Sequence, residues 1–152
     1  MIIQGKGKLT AILVITLLTF WGCGSMQNDT TGFFEGEFHP CPGSPNCVSS
    51  MDVGADSYIK PFTYTSLSRQ EAFDHLLGLL EKTRRCRIMT AEEAYIHAEF
   101  RSRLFRFVDD VEFFLPEQNK LVHIRSASRL GYSDFGVNRK RMEELRSLFE
   151  DE

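Results

Sequence analysis

Between Tyr95 and Arg101 the chain alternates strictly, with Ile96, Ala98 and Phe100 interleaved among Tyr95, His97, Glu99 and Arg101. A period of two sends successive side chains to opposite faces of a strand, so the run fits a β-strand with one apolar and one polar face. The pattern returns where Val122 and Ile124 alternate with His123 and Arg125. Four strands are predicted in succession: Arg87 to Ala91, Tyr95 to Arg103, Phe107 to Leu115 and Lys120 to Ser126. A hairpin turn is placed at Glu117-Gln118-Asn119, after Pro116. Such short connections imply antiparallel neighbours, and the alternation predicts a sheet with one wet face.

Two helices flank this block. Ser68 and Glu71 have the spacing of a capping box, and Ala72, Phe73, Leu76, Leu77 and Leu80 then form one apolar stripe, giving a helix that runs to about Thr83. At the other end Asn138 is expected to cap a final helix carrying Met142, Leu145, Leu148 and Phe149, with Val137 and Met142 as a hydrophobic staple. A short edge strand between Tyr58 and Tyr64, interrupted by Pro61, precedes the first helix. The expected fold is a single α+β domain with element order β-α-β-β-β-β-α. An antiparallel sheet of about four to five strands would be covered on its apolar face by both helices.

The N-terminus reads differently. Lys6 and Lys8 precede an apolar run from Leu9 to Trp21 with no acidic residue in the leader. That run falls short of the ~20 residues a membrane-spanning helix needs, so residues 1–22 read as an export signal. Cys23, following Gly22, resembles the lipobox cysteine of bacterial lipoproteins. Lipidation of Cys23 is therefore expected, with an uncleaved N-terminal anchor as the alternative. Residues 23–38 read as the lipidated cysteine and a flexible tether, and residues 39–152 as the folded domain. The expected location is the bacterial cell envelope; Gly24 in place of a retaining aspartate favours the outer membrane if the cell is Gram-negative. Removing the two leader lysines takes the net charge from −3 to −5, which argues against a nucleic-acid partner.

Cys41 and Cys47 bracket the turn-rich segment Pro42-Gly43-Ser44-Pro45-Asn46, and export favours a disulfide between them. Zinc is the weaker alternative, with His39 nearby but no second Cys-x-x-Cys pair. Cys86 is expected as a buried free thiol.

The richest polar segment runs from Arg125 to Arg139. Gly131 and Gly136 permit tight turns, and the last helix opens beside Arg125, Arg129 and Arg139. Guanidinium groups and free helix amides suit a phosphate, sulfate or carboxylate. The anion-binding set read from this segment is Arg125, Ser126, Ser128, Arg129, Asp134, Asn138 and Arg139, with His97 and His123 contributed by the polar sheet face. The opposing interpretation has the arginines paired with Asp109, Asp110 and Asp134. Likewise the polar face, including Asp110 and Glu112, is either a ladder of ion pairs or a ligand surface. A metal site from His97, His123 and these carboxylates has only generic spacing. A catalytic serine at Ser126 or Ser128 lacks a nucleophile elbow. No catalytic residue, metal or cofactor is therefore assigned. The run from Arg101 to Phe107 interleaves arginines and aromatics, and is expected to be a hairpin corner with its aromatics inward.

Three blocks together, Cys41 to Ser50, His97 to Asp110 and Arg125 to Arg139, resemble the uncharacterised bacterial family catalogued as domain of unknown function 1499. The resemblance covers about residues 38 to 150. It implies an often exported or membrane-attached protein and carries over no catalytic residue. The expected function is accordingly a non-enzymatic envelope lipoprotein that binds an anionic small molecule, glycan or lipid head group. The alternatives are an enzyme using His97 or His123 as general base with arginine stabilisation, and a structural or protein-partner-binding module.

Overall fold

A computed structural model describes residues 31–151. The export signal, Cys23 and the tether up to residue 30 lie outside the described residues. The elements are β1 (Phe33–Phe34), β2 (Glu37–Phe38), β3 (Cys47–Ser49), β4 (Phe62–Thr63), α1 (Arg69–Lys82), β5 (Cys86–Glu92), β6 (Tyr95–Arg101), β7 (Val108–Phe114), β8 (Leu121–Ser128) and α2 (Val137–Glu150).

The predicted meander is present: β5, β6, β7 and β8 pair antiparallel in sequence order. Beyond β8 the edge is shared. β3 pairs with its C-terminal half, Cys47 opposite Ala127, and β4 with its N-terminal half, Phe62 opposite Val122. The two short strands thus lie end to end along β8, and the fold is α+β with a six-stranded antiparallel main sheet. The edge strand expected between Tyr58 and Tyr64 contracts to Phe62 and Thr63, while Tyr58 makes only an isolated bridge to Ser49.

α1 begins as the sequence predicts. The Glu71 amide donates to Ser68 Oγ at 3.2 Å, and Glu71 Oε2 accepts from the Ser68 amide at 2.7 Å. Ala72, Phe73, Leu76 and Leu80 are buried against the sheet. α2 begins differently. Its N-cap is Gly136, whose φ of 78° is open to glycine at little cost, and Asn138 is already inside the helix. Asp134 supplies the missing acceptor, taking the amides of Gly136 at 3.0 Å and Asn138 at 2.7 Å. Freed from capping, the Asn138 side chain is buried under the helix.

Ile96, Ala98, Phe100, Val111, Phe113, Val122 and Ile124 face α1 and α2, where Met142, Leu145 and Phe149 complete the core. Leu148, expected on the same stripe, is exposed. Among the described residues the core cluster runs from Val48 to Phe149, all of it within the chain from Gly24 onward.

Two expectations are corrected on the other sheet face. First, residues 31–38 are not a featureless tether. β1 and β2 form a hairpin in which Phe33 stacks on Phe114 with ring centroids 3.8 Å apart and also meets Tyr95 and Phe38. Second, the polar face is not wet: Glu99, Asp110, Glu112 and Arg125 are all buried. The hairpin and the segment carrying Cys41 cover them, so this sheet is covered on both faces, by helices on one and by irregular chain on the other.

Candidate functional site

Burying carboxylates without partners would cost several kcal/mol each, so the second face carries a paired network. Glu112 accepts from Arg125 Nη1 at 2.7 Å, from the Tyr95 hydroxyl at 2.8 Å and from the Gly32 amide at 2.7 Å. Asp110 accepts two bonds from Arg129, Nε at 2.7 Å and Nη2 at 2.8 Å, and one from His97 Nε2 at 2.8 Å. Arg129 Nη2 also reaches Glu99 at 2.7 Å, and Arg101 meets the other oxygen of Glu99 at 3.3 Å. Strand register produces this: His97 lies opposite Glu112, Glu99 opposite Asp110, and Glu112 opposite Arg125.

The electrostatics follow from the pairing. Burial alone would raise the Asp110 carboxyl, but the bonds from His97 and Arg129 more than reverse this and hold it at about 2. Glu99 is likewise lowered: burial opposes the shift, and bonds from Arg129 and Arg101 outweigh it. The bonds to Asp110 push Arg129 upward, and burial beside Glu112 pushes the Tyr95 hydroxyl far up. An ionised Asp110 can only accept, so His97 Nε2 is the donor in their bond. Burial lowers His123, whose Nδ1 lies 3.2 Å from Ser50 Oγ.

One atom stands out. Arg125 is 1 % exposed, and its Nε has no hydrogen-bond partner. Arg125 also lines a cleft of about 1070 Å³ with Asp110, Ala127 and Arg129; the Cys41 segment forms one wall, and Phe105, Phe107 and Leu130 form the apolar rim. A second cleft of about 810 Å³ lies behind the Cys41 segment, beside Asp52, Asp56, Tyr132 and Arg139.

The predicted binding residues divide among three places. Arg125, Arg129 and His97 share the buried network, and His123 shares their face. Ser126 and Ser128 are one residue out of phase with Arg125 and point to the helix side, a consequence of the pleat. There Ser126 Oγ donates to Asn138 Oδ1 at 2.5 Å, and Asn138 Nδ2 donates to Ser128 Oγ at 2.9 Å and to the Asn46 carbonyl at 3.0 Å. Asp134 caps α2. Arg139 donates to the carbonyls of Tyr58 and Asp56, each at 2.9 Å, and so pins the preceding loop. The structure therefore does not gather these residues around one anion at the helix start. It also separates Ser126 and Ser128 from both histidines, so no serine–histidine pair forms from them.

Sequence reasoning missed Arg141, Asn46 and the depth of Glu99. Arg141 binds Asp109 at 2.5 Å and Asn138 at 2.8 Å and lies over the Phe100 ring at 4.8 Å. A cation next to Met142 on the apolar stripe was the available signal. Asn46 Nδ2 donates to the Gly131 carbonyl at 2.6 Å, tying the cysteine loop to the turn after β8, and its sequence context gave no hint of that.

Cys41 and Cys47 form a disulfide, which removes the zinc alternative for them, and Cys86 is a half-buried free thiol pushed up to about 11 by burial. Among the described residues no group of three His, Cys, Asp or Glu side chains is arranged to hold a metal ion. Among them, too, no helix is long and apolar enough to cross a membrane.

No curated protein and no solved structure matches the chain. A family model does, over residues 37–149, spanning the core, the disulfide and the buried network, and the chain belongs to that family, described as Protein of unknown function (DUF1499).

Proposed function

We propose that the protein is an envelope lipoprotein, tethered through Cys23, whose cleft over the second sheet face binds a small ligand with an anionic group without transforming it. The supporting observation is the buried Arg125, held on one side by Glu112, which lines a ligand-sized cleft and whose buried Nε has no hydrogen-bond partner. A buried donor left unmade costs roughly 1–3 kcal/mol, and a ligand oxygen would recover that. Asp110, itself saturated by Arg129 and His97, sets selectivity: the ligand presents its anion toward Arg125 and keeps its remaining bulk on the apolar rim.

The test is thermal stability of the chain from Gly24 to Glu152 against inorganic phosphate, short and medium-chain carboxylates, glycerol phosphate and sulfated sugars. A ligand at a hundred times its Kd adds about 2.7 kcal/mol to the native state. Ala127→Leu fills the cleft floor without breaking an ion pair and should abolish the shift. A shift that survives Ala127→Leu, or no shift with any of these anions, overturns the proposal. The anchor is tested separately, since Cys23→Ser should lose acyl labelling of the exported protein; retained labelling rejects it.

A further inference from the structure

The β6–β7 connection is closed by a reciprocal pair of hydrogen bonds: the Ser102 amide donates to the Phe107 carbonyl at 2.9 Å, and the Phe107 amide donates to Ser102 Oγ, also at 2.9 Å. The sequence pattern predicts that this corner turns its aromatics inward. Instead Leu104 is 79 % exposed, Phe105 69 % and Phe107 50 %, with the two phenyl rings stacked at 5.5 Å. Arg101, Arg103 and Arg106 are exposed between them, and the run from Phe100 to Val108 has no acidic residue. Among the described residues neither Arg103 nor Arg106 forms an ion pair. Arg106 sits at φ 55°, a left-handed conformation that arginine rarely adopts.

The turn after β8 lies at the same end of the sheet, joined by the Arg129 amide donating to the Val108 carbonyl at 3.1 Å, and it exposes Leu130, Tyr132 and Phe135. Six of the eleven large hydrophobic residues exposed among those described therefore sit at this end. Isolated exposed side chains need no explanation, but apolar tips gathered with unpaired cations do.

We propose that this end of the sheet docks on the surface of an anionic lipid bilayer, with Leu104, Phe105 and Phe107 entering the interface and the unpaired Arg103 and Arg106 lying among the head groups. Charge complementarity selects the occupant: the tip is locally basic on a chain of net charge −3, and cations alternating with leucine and phenylalanine are the composition that interfacial segments use. The position of the N-terminus agrees as well. Thr31 lines the same cleft as Phe105, and seven residues separate it from Cys23, so the eight steps of chain reach at most about 29 Å when fully extended. A lipid at Cys23 would keep this end within reach of the membrane. The docking surface does not depend on the anion proposed for the cleft, and it should survive Ala127→Leu.

The only tryptophan of the sequence is Trp21, so the chain from Gly24 to Glu152 has none, and Phe105→Trp gives a lone reporter at the tip. This unacylated protein is mixed with vesicles containing phosphatidylglycerol and, separately, with vesicles of phosphatidylcholine alone. Expected are co-sedimentation with the anionic vesicles, a blue shift of emission and quenching by brominated acyl chains. Met89→Trp, on strand β5, should report no shift under the same conditions. Arg103→Gln with Arg106→Gln removes two surface cations and should weaken binding about thirtyfold. Failure to sediment with anionic vesicles overturns the proposal. So does binding that leaves the emission of the Phe105→Trp reporter unchanged, equal binding to phosphatidylcholine, or self-association in place of vesicle binding.

Discussion

The pair Arg125 and Glu112 offers the sharpest check of the buried second face. Their side chains are 1 % and 0 % exposed and meet at 2.7 Å. Removing one member of such a pair strands the other charge in a poorly solvated site, at about 3–5 kcal/mol, a large share of the 5–15 kcal/mol typical of a domain. The two directions should differ. In Arg125→Met the Glu112 carboxylate keeps Tyr95 and Gly32 as donors, so the loss should fall near ~3 kcal/mol. In Glu112→Gln the guanidinium, whose Nε already lacks a partner, loses its counter-charge, and the loss should approach ~5 kcal/mol. The double variant buries no net charge and retains an acceptor for Tyr95, so it should cost no more than the worse single change, giving a coupling of about 3 kcal/mol. Urea unfolding of the four proteins, followed by far-ultraviolet circular dichroism, gives all terms if the slope m stays constant. Single losses under about 1 kcal/mol, or additivity within about 0.5 kcal/mol, would refute the reasoning.

Three further outcomes follow from other residues. Asp110 is held at about 2, below its ordinary value, so its contribution is complete above that ordinary value and is lost as pH falls toward 2; the acid limb of a stability–pH profile should flatten in Asp110→Asn, and an unchanged limb would reject the assignment. Reduction of the Cys41–Cys47 bridge reopens a loop with sequence separation 6 and should cost about 2 kcal/mol in urea, with a mass gain of two hydrogens as the control; an unchanged midpoint would remove the bridge from the stability of the domain. Phe33→Ala should cost about 1–2 kcal/mol by removing the stack on Phe114, whereas a tether residue would cost nothing.

The sequence exposed the sheet because β6 and β8 each have one clear apolar face, and it exposed α1 because a capping box and an apolar stripe coincide. β1, β2 and β3 were invisible for the opposite reason. Strands of two or three residues are too short to show a period, and their placement depends on partners 80 positions away, as between Gly32 and Glu112. The helix start at Asn138 was misassigned because asparagine caps and asparagines buried beneath a helix look alike until Asp134 is seen to take the amides. The candidate site was half legible. Alternation alone puts Arg125 and Arg129 on one face and Ser126 and Ser128 on the other, so the amino-acid pattern by itself is enough to split the mixed set.

What no local pattern could reveal is that the charged face is covered. A row such as His97, Glu99, Asp110 and Arg125 reads identically whether it meets water or chain, since composition records polarity and not depth. The cover comes from glycine, proline and a disulfide, residues that form walls without a periodic signal. Their thinness also explains the cleft. The hairpin seals the end near Phe114, where Phe33 stacks, but over Ala127 and Arg129 only the cysteine loop passes, and the space between that loop and Phe107 stays open. The buried network and the opening to it therefore have one cause: a sheet whose second face is closed by irregular chain instead of by a third helix. Its charges must pair internally where the chain seals them. Even there the pairing is incomplete, since Arg125 Nε is buried without a hydrogen-bond partner among the described residues.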